Sequence, residues 1–471
     1  MSLLRNIYES SPIFFQHIMA SGAGYAKNRY RYGKQYYEHR KFLSDFDTWD
    51  LEKKLNYQKN ELILFIKYAV NNSRYYKNLY KDIDIDSIRG IEDLNKLPIV
   101  GKEMLRDNIN DIVTVSKKDA VEWRTGGTTG KSLLVYGTPE DTMKRMALLD
   151  NFKARIGFEH RKMTRATFSE AHVVPPNQKN KVFWRYNHAC KQMVYSSFNI
   201  TEKNARYYAE SLNNFKPQSI DGYFISICDI AGHIKRHNIK LKFTPIAIFP
   251  TSETLSEHGR NLIEEVFKCK VYDQYASSEG APFATECSRQ VMHIDMSSGV
   301  FEHFEEGSKE ILVTSFTTHG TPLIRYRIGD VMEFANGNND HNHNNFICQC
   351  GMQSLIVKNV QGRTLDFLYT AEGAKHPGGN VANLIKVLTN AVIRAQFVQD
   401  VKDEINVFLE IDKNIYTPEH DNKLKKEFNE KFGPKTKIII KHVEEIPREK
   451  NGKFRMIKNN VKADDIYHEA N

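Results

Sequence analysis

The stretch Arg124-Thr125-Gly126-Gly127-Thr128-Thr129-Gly130-Lys131-Ser132 stands just ahead of the apolar run Leu133-Leu134-Val135-Tyr136. Its glycines let a backbone turn tightly and approach a ligand closely, because no Cβ intervenes. The amide N–H groups so exposed, the hydroxyls and the Lys131 ammonium can converge on phosphate oxygens. By composition alone such a stretch is more often a plain loop. It is not a Walker A loop, which needs glycine where Thr125 stands. The choice between phosphate cradle and plain loop rests on motifs further down the chain.

At 471 residues the chain is long enough for two or three domains, and a 40% hydrophobic share with 27% charged residues is that of a globular protein with a sizeable core. The net charge of +9 is spread along the chain and favours anionic ligands without marking a nucleic-acid face. No apolar run reaches the roughly 18–20 residues of a membrane span. Ile13-Phe14-Phe15 lies between Glu9 and Gln16-His17, so the apolar core of a signal peptide is missing. The expectation is a cytoplasmic protein, monomer or homodimer, whose six cysteines are metal ligands or buried thiols rather than disulfides.

Along the chain, residues 1–50 are aromatic and basic and read as short helices or an arm on a larger body. Leu55, Leu62, Phe65, Ile66 and Ala69 give Leu51–Tyr80 a helical period. Leu133–Tyr136 reads as a strand, and Pro139 opens a helix to about Ile156. Strands are expected at Ile220–Ile227, Pro245–Phe249 and Lys270–Gln274, with a helix at Glu257–Phe267. This alternation argues for an α/β fold with a largely parallel sheet, whose strands gather ligands at their carboxyl ends. Residues 290–360 turn to short strands and turns, and a compact mixed unit runs from about Arg363 to the end. No internal repeat is evident.

Five further stretches come after the Gly/Thr loop in order: Thr251-Ser252-Glu253, Tyr275-Ala276-Ser277-Ser278-Glu279, Arg325-Tyr326-Arg327-Ile328-Gly329-Asp330, Gly362-Arg363-Thr364-Leu365-Asp366 and Pro447-Arg448-Glu449-Lys450-Asn451-Gly452-Lys453. Singly, each is an ordinary turn or surface strand. As an ordered set they resemble the adenylate-forming enzymes, specifically the phenylacetate–CoA ligase-like family. Arg74-Tyr75-Tyr76, Leu97-Pro98-Ile99, Phe183-Trp184-Arg185-Tyr186-Asn187 and Asp221-Gly222-Tyr223 resemble its capsular-polysaccharide (CapK-type) branch.

The resemblance implies a large amino-terminal adenylation domain of mixed and parallel sheets with helices, spanning 81–362 with the 1–80 arm as part of it. A small mobile α+β lid comes next at 363–471. It implies a ligase that joins ATP and a small carboxylic acid to give acyl-AMP and pyrophosphate, with an unidentified acyl acceptor (CoA, sugar or amine). Thr125, Gly126, Gly127, Thr128, Thr129, Gly130 and Lys131 would hold the β- and γ-phosphates. Glu279, next to Ser278, would carry Mg²⁺, and a hard oxygen ligand suits that ion. Tyr275 would pack near adenine, Asp330 would accept from the ribose hydroxyls, and Arg363 would support ribose or phosphate. Lys453 would bridge carboxylate and α-phosphate, and Asp366 would be the hinge. Ala276, where relatives commonly have glycine, and the Thr-Gly-Gly-Thr-Thr-Gly-Lys-Ser form of the loop depart from the family pattern without removing a charge. The acyl pocket is expected from about residues 165–255, with Phe168, Trp184, Tyr186, Tyr223 and Phe224 as candidate walls.

Cys287-x5-His293 and Cys348-x-Cys350 form two pairs that suit a tetrahedral Cys₃His zinc set with no open position, hence structural. Taken in isolation they are also buried thiols and a surface histidine. Some members of the resembled family carry the set. Cys190, Cys228 and Cys269 read as core. Two other classes compete: a scaffold that kept the fold but lost the chemistry, and a basic zinc-containing nucleic-acid binder. The joint presence of Glu279, Asp330, Arg363 and Lys453 argues against the first, and the dispersed charge against the second.

Overall fold

The computed structural model describes residues 3–124, 133–169, 173–175, 178, 180–200, 202–335, 348–361, 367–371, 375–377, 381, 384–385, 388, 391–447 and 454–461. The expected amino-terminal arm is three helices, α1 (Leu3–Ser10), α2 (Ile13–Arg31) and α3 (Lys34–Asp47). The helical run predicted for 51–80 is two helices, α4 (Leu51–Asn72) and α5 (Arg74–Leu79). Asp50 opens α4 by accepting the Lys53 N–H at 2.7 Å, and extended Ser73 ends it and caps α5. Leu62, Phe65, Ile66 and Ala69 form the buried stripe of α4. Tyr76 of the Arg74-Tyr75-Tyr76 motif is a packing residue, buried with its hydroxyl on the Pro322 carbonyl at 2.8 Å.

Helix α2 lies against residues 184–190, whereas α4 and α5 pack on a seven-stranded antiparallel sheet. Its strands run, in spatial order, Gly299–His303, Glu310–Ser315, Leu323–Phe334, Ile356–Gln361, Met292–Ile294, Ala284–Glu286 and Gln274–Tyr275. A second sheet has the order Trp184–Asn187, Gln192–Ser196, Arg165–Ser169, Ser219–Tyr223 and Ala247–Thr251. Its last four strands are parallel and the first is antiparallel to its neighbour. The parallel sheet expected from strand–helix alternation is this one, with the predicted helix at Glu257–Phe267 packed on it.

The apolar run 220–227 is not a single strand. Its strand is Ser219–Tyr223, and Phe224 begins a helix that runs to Arg236. Gly222, at φ +120°, makes this possible, because a Cβ there would lie 2.0 Å from the Phe168 carbonyl oxygen of the neighbouring strand. Continuous apolar character cannot distinguish a buried strand from the first turn of a buried helix. The run 270–274 is likewise mostly irregular. Val271 bridges to Ile248 of the parallel sheet, and Gln274–Tyr275 pairs into the antiparallel sheet. This short segment therefore carries the chain from one sheet to the other, immediately before Glu279.

A third unit has the four-stranded order Lys437–His442, Glu404–Ile411, Val392–Val401 and Ile457–Asn459, with the helix Pro418–Phe432 against it. Phe397, Val407, Leu409, Leu424 and Phe428 form its own core.

Candidate active site

The strands Val121–Arg124 and Leu134–Gly137 pair antiparallel with Arg124 opposite Leu134, so the two ends of the Gly/Thr loop leave one hairpin. Thr125, Gly126, Gly127, Thr128, Thr129, Gly130 and Lys131 themselves lie outside the described residues. The hairpin is fixed from behind: the Tyr136 N–H donates to Thr321 Oγ1 at 2.9 Å, and the Thr321 hydroxyl returns to the Tyr136 carbonyl at 2.9 Å. Trp123 packs beside Gly280, where an added Cβ would lie 3.3 Å from the indole.

Gly280 is the pivot of the turn that carries Glu279. Its φ is +109°, and a side chain there would meet Thr318 Cγ2 at 2.4 Å. Arg145, on the helix Pro139–Arg155, is buried beneath this turn. Its Nη1 donates to the Gly280 and Ala281 carbonyls at 2.9 Å each, and Nη2 to the Ser277 carbonyl at 3.3 Å. Ser315 Oγ adds a bond of 2.6 Å to the Gly280 carbonyl. Burial lowers the Arg145 pKa to about 10, with Asp141 and Glu279 opposing, so the guanidinium remains charged at neutral pH. Glu279 is buried, with Lys102 Nζ at 3.9 Å from its Oε1, whereas neighbouring Ser278 is exposed. Four residues before Glu279, the Tyr275 hydroxyl donates to Asp330 Oδ2 at 2.7 Å, and both residues are buried.

Tyr275 and Glu279 belong to one motif, and the Tyr275 hydroxyl joins it to Asp330 of another. Arg363, Asp366 and Lys453 lie outside the described residues. Phe454, next to Lys453, is buried beneath Arg394, whose guanidinium carbon is 5.3 Å from the ring centroid. The Leu97-Pro98-Ile99 motif leads into Val100, which pairs with the middle of Arg325-Tyr326-Arg327. Val100 N donates to the Arg325 carbonyl at 3.1 Å, and Arg327 N donates to the Val100 carbonyl at 2.9 Å. Of the pocket candidates, Phe168 and Phe224 are core residues, while Trp184, Tyr186 and Tyr223 are half-buried.

Sequence reasoning missed Lys102 and Arg145. Lys102 is the first residue after the Pro98–Gly101 connection and opens a short helix, a position with no distinguishing local signal. Arg145 shares its helix with Lys144, Lys153 and Arg155, and only its burial under a distant turn sets it apart. The Asp221-Gly222-Tyr223 motif also has a buried charge centre that sequence alone did not reveal. Asp221 accepts from Lys153 Nζ at 2.8 Å, from Arg165 Nη1 at 3.1 Å and from the Thr167 hydroxyl. Burial pushes its pKa up, but Lys153 and Arg165 hold it well below the usual carboxylate range.

A second cluster lies between the antiparallel strands. One ligand atom from each of Cys287, His293, Cys348 and Cys350 falls within 4.8 Å of all the others. Cys287 Sγ and Cys348 Sγ are 3.8 Å apart, and Cys350 Sγ is 3.7 Å from His293 Nε2. Bond lengths of about 2.3 Å to sulfur and about 2.0 Å to nitrogen give tetrahedral edges of this size. The other ring nitrogen, Nδ1, is 2.7 Å from Ser354 Oγ, which turns Nε2 toward the thiols. The Arg289 and Met352 N–H groups donate to Cys287 Sγ and Cys350 Sγ at 3.4 Å each. The residues fit a four-coordinate ion with no open position.

The family model described as the CapK C-terminal domain matches residues 368–460. The chain is 37% identical over 463 residues to Protein CapK of Staphylococcus aureus, covering 98% of this chain and 100% of that protein. It is 22% identical over 351 residues to a phenylacetate-coenzyme A ligase of Thermus thermophilus, covering 69% of this chain and 74% of the relative. Among solved structures, 2-hydroxyisobutyryl-CoA ligase in the postadenylation state with 2-HIB-AMP shares the fold. Its TM-score is 0.69 at 14% identity, over 88% of this chain and 91% of that one. Identity over nearly the whole length carries the assignment: the chain belongs to the CapK-type branch of the phenylacetate–CoA ligase-like family of adenylate-forming enzymes.

Proposed function

We propose that the chain activates a small carboxylic acid with ATP and transfers the acyl group to a sugar, amine or CoA acceptor in the assembly of capsular or other surface polysaccharide. The observation that carries this reading is buried Glu279 on a turn gripped by Arg145, beside the hairpin of the Gly/Thr loop. In the reaction a carboxylate oxygen bonds to the α-phosphorus of ATP and pyrophosphate departs with the electron pair of the broken P–O bond. Two anions must approach, so fixed N–H donors and cations are what the site has to supply.

Thr125, Gly126, Gly127, Thr128, Thr129, Gly130 and Lys131 hold the β- and γ-phosphates in this proposal. Mg²⁺, held by Glu279, would offset charge on the phosphates. Tyr275 lies against adenine and Asp330 accepts from the ribose, with the Tyr275 hydroxyl fixing the carboxylate. Arg363 supports ribose or phosphate. Lys453 delivers a point charge between the two anions from a lid of residues 363–471, which turns about Asp366 over an adenylation body of 81–362 and its 1–80 arm. The Cys287, His293, Cys348 and Cys350 set holds a structural Zn²⁺. We further assign the protein to the cytoplasm, as a monomer or homodimer. The likeness to a phenylacetate-coenzyme A ligase favours CoA as acceptor, whereas the CapK-type amino-terminal half favours a sugar or amine.

Incubation with ATP, Mg²⁺ and a panel of aryl, amino and sugar acids, with and without CoA, tests the proposal. Pyrophosphate release that depends on one acid names the substrate class, and a thioester product with CoA present decides the acceptor. An absence of ATP binding removes the enzymatic reading.

A further inference from the structure

Helix α2 sits on the protein with its polarity reversed. A surface helix ordinarily turns its apolar stripe inward. Here the inward face is polar: Gln16 Oε1 accepts from buried Arg185 Nε at 2.6 Å, and His17 Nδ1 accepts the Tyr186 N–H at 2.7 Å. Ser21 Oγ accepts the His188 N–H at 3.0 Å, and Asn28 Nδ2 donates to the Ala189 carbonyl at 3.2 Å. Gly24 marks the closest approach, where a Cβ would lie 2.3 Å from Asn187 Oδ1. The outward face carries Phe14, Phe15, Ile18 and Tyr25, which are 69%, 54%, 52% and 57% exposed. Leu4 on α1 is 71% exposed.

The charge around this face is predominantly positive. Residues 1–38 contain Arg5, Lys27, Arg29, Arg31 and Lys34 against Glu9 and Glu38, which are paired with Arg5 at 2.8 Å and Lys34 at 3.5 Å, so cations are in excess. A two-fold contact between copies sets the same patch against itself and would bring these cations together. An anionic lipid surface meets both features: acyl chains and the interfacial layer take phenyl and aliphatic groups, tyrosines sit at headgroup level, and Lys and Arg pair with headgroup charge. No helix among the described residues is long and apolar enough to cross a membrane, so the helices would lie along it.

We propose that α1 and α2 dock the protein on an anionic membrane surface, with Phe14, Phe15 and Ile18 entering the interface and Arg29, on the same face as Ile18, at the headgroups. This inference stands on the polarity of α2 and does not depend on the adenylation chemistry. Flotation of the full chain with vesicles of phosphatidylcholine, alone or with about one third phosphatidylglycerol, tests it. The protein should float with the anionic vesicles, less so as salt is raised. Phe14→Ser/Phe15→Ser/Ile18→Ser should weaken binding by more than about tenfold with an unchanged circular dichroism spectrum. Arg29→Glu should weaken the preference for anionic lipid, which keeps the test alive should the first variant misfold. Wild-type protein that stays behind with both vesicle types overturns the proposal. So does a wild-type dimer that the triple variant makes monomeric without any vesicle binding, since that assigns the face to a second copy.

Discussion

In the proposed site Arg145 would act on Glu279 through the backbone of the turn that carries it, a positioning role without contact to the reacting atoms. Arg145→Met should leave the Gly280 and Ala281 carbonyls with one fewer charged donor and let the turn drift. A displacement of about 1 Å at such a site costs about 100-fold in rate. Steady-state kinetics should show this loss together with a raised Mg²⁺ requirement, which simple destabilisation would not produce. Gly280→Ala, forced into a left-handed backbone against Thr318, should behave similarly. Asp221→Ala has a different signature, because it strands Lys153 and Arg165 in the interior; urea unfolding should show a loss of about 3–5 kcal/mol. Because Lys153 and Arg165 hold the folded Asp221 pKa down against burial, its contribution is complete above the unfolded value of about 3.9 and is lost as pH falls through the folded one. Asp221→Asn should therefore flatten the acid limb of the stability–pH profile. Tyr275, Glu279 and Asp330 stand out in the sequence because each sits in a short motif of the resembled family, and the structure joins the first and last through a hydrogen bond. Arg145, Lys102 and the partners of Asp221 do not, because their roles come from contacts made across long stretches of intervening chain.

The same division holds for whole elements. The Leu51–Asn72 stripe is readable from its period and the Pro139–Arg155 helix from the proline that opens it, and the Glu257–Phe267 helix falls where it is expected. The run 220–227 was misread because an apolar stretch carries no period and the deciding feature is the crowding of Gly222 against Phe168. The reversal of α2 was equally hidden, since polarity pattern gives a helix its faces but not the side it turns to the body. The Cys/His set joins the strands at 284–294 to the segment at 348–357, two stretches far apart in the chain. Zinc analysis of the purified protein should give about one ion per chain, and Cys350→Ser should lose it and lower the melting temperature. An unchanged melting temperature after complete metal removal would reject the structural role.

At the scale of the molecule, the carboxyl-terminal unit meets the parallel-sheet body through Arg394. Its guanidinium is paired with Asp229 on the Phe224–Arg236 helix and, at 3.1 Å, with Glu410 of its own sheet. Arg236 and Asp412 add a looser contact at 3.9 Å. Asp229→Ala should loosen this contact, and limited proteolysis should then separate the unit from the body faster, by about tenfold, while its own four-stranded core stays resistant. In the proposed reaction a lid would carry Lys453 to the α-phosphate, which makes the strongest demand on this arrangement. The most direct test is pyrophosphate release under saturating ATP, Mg²⁺ and the acid substrate, comparing wild type with Lys453→Ala. The account predicts a loss of at least about 100-fold with ATP binding retained, because Lys453 would act on charge that develops in the transition state. Equal release by the two proteins would contradict it.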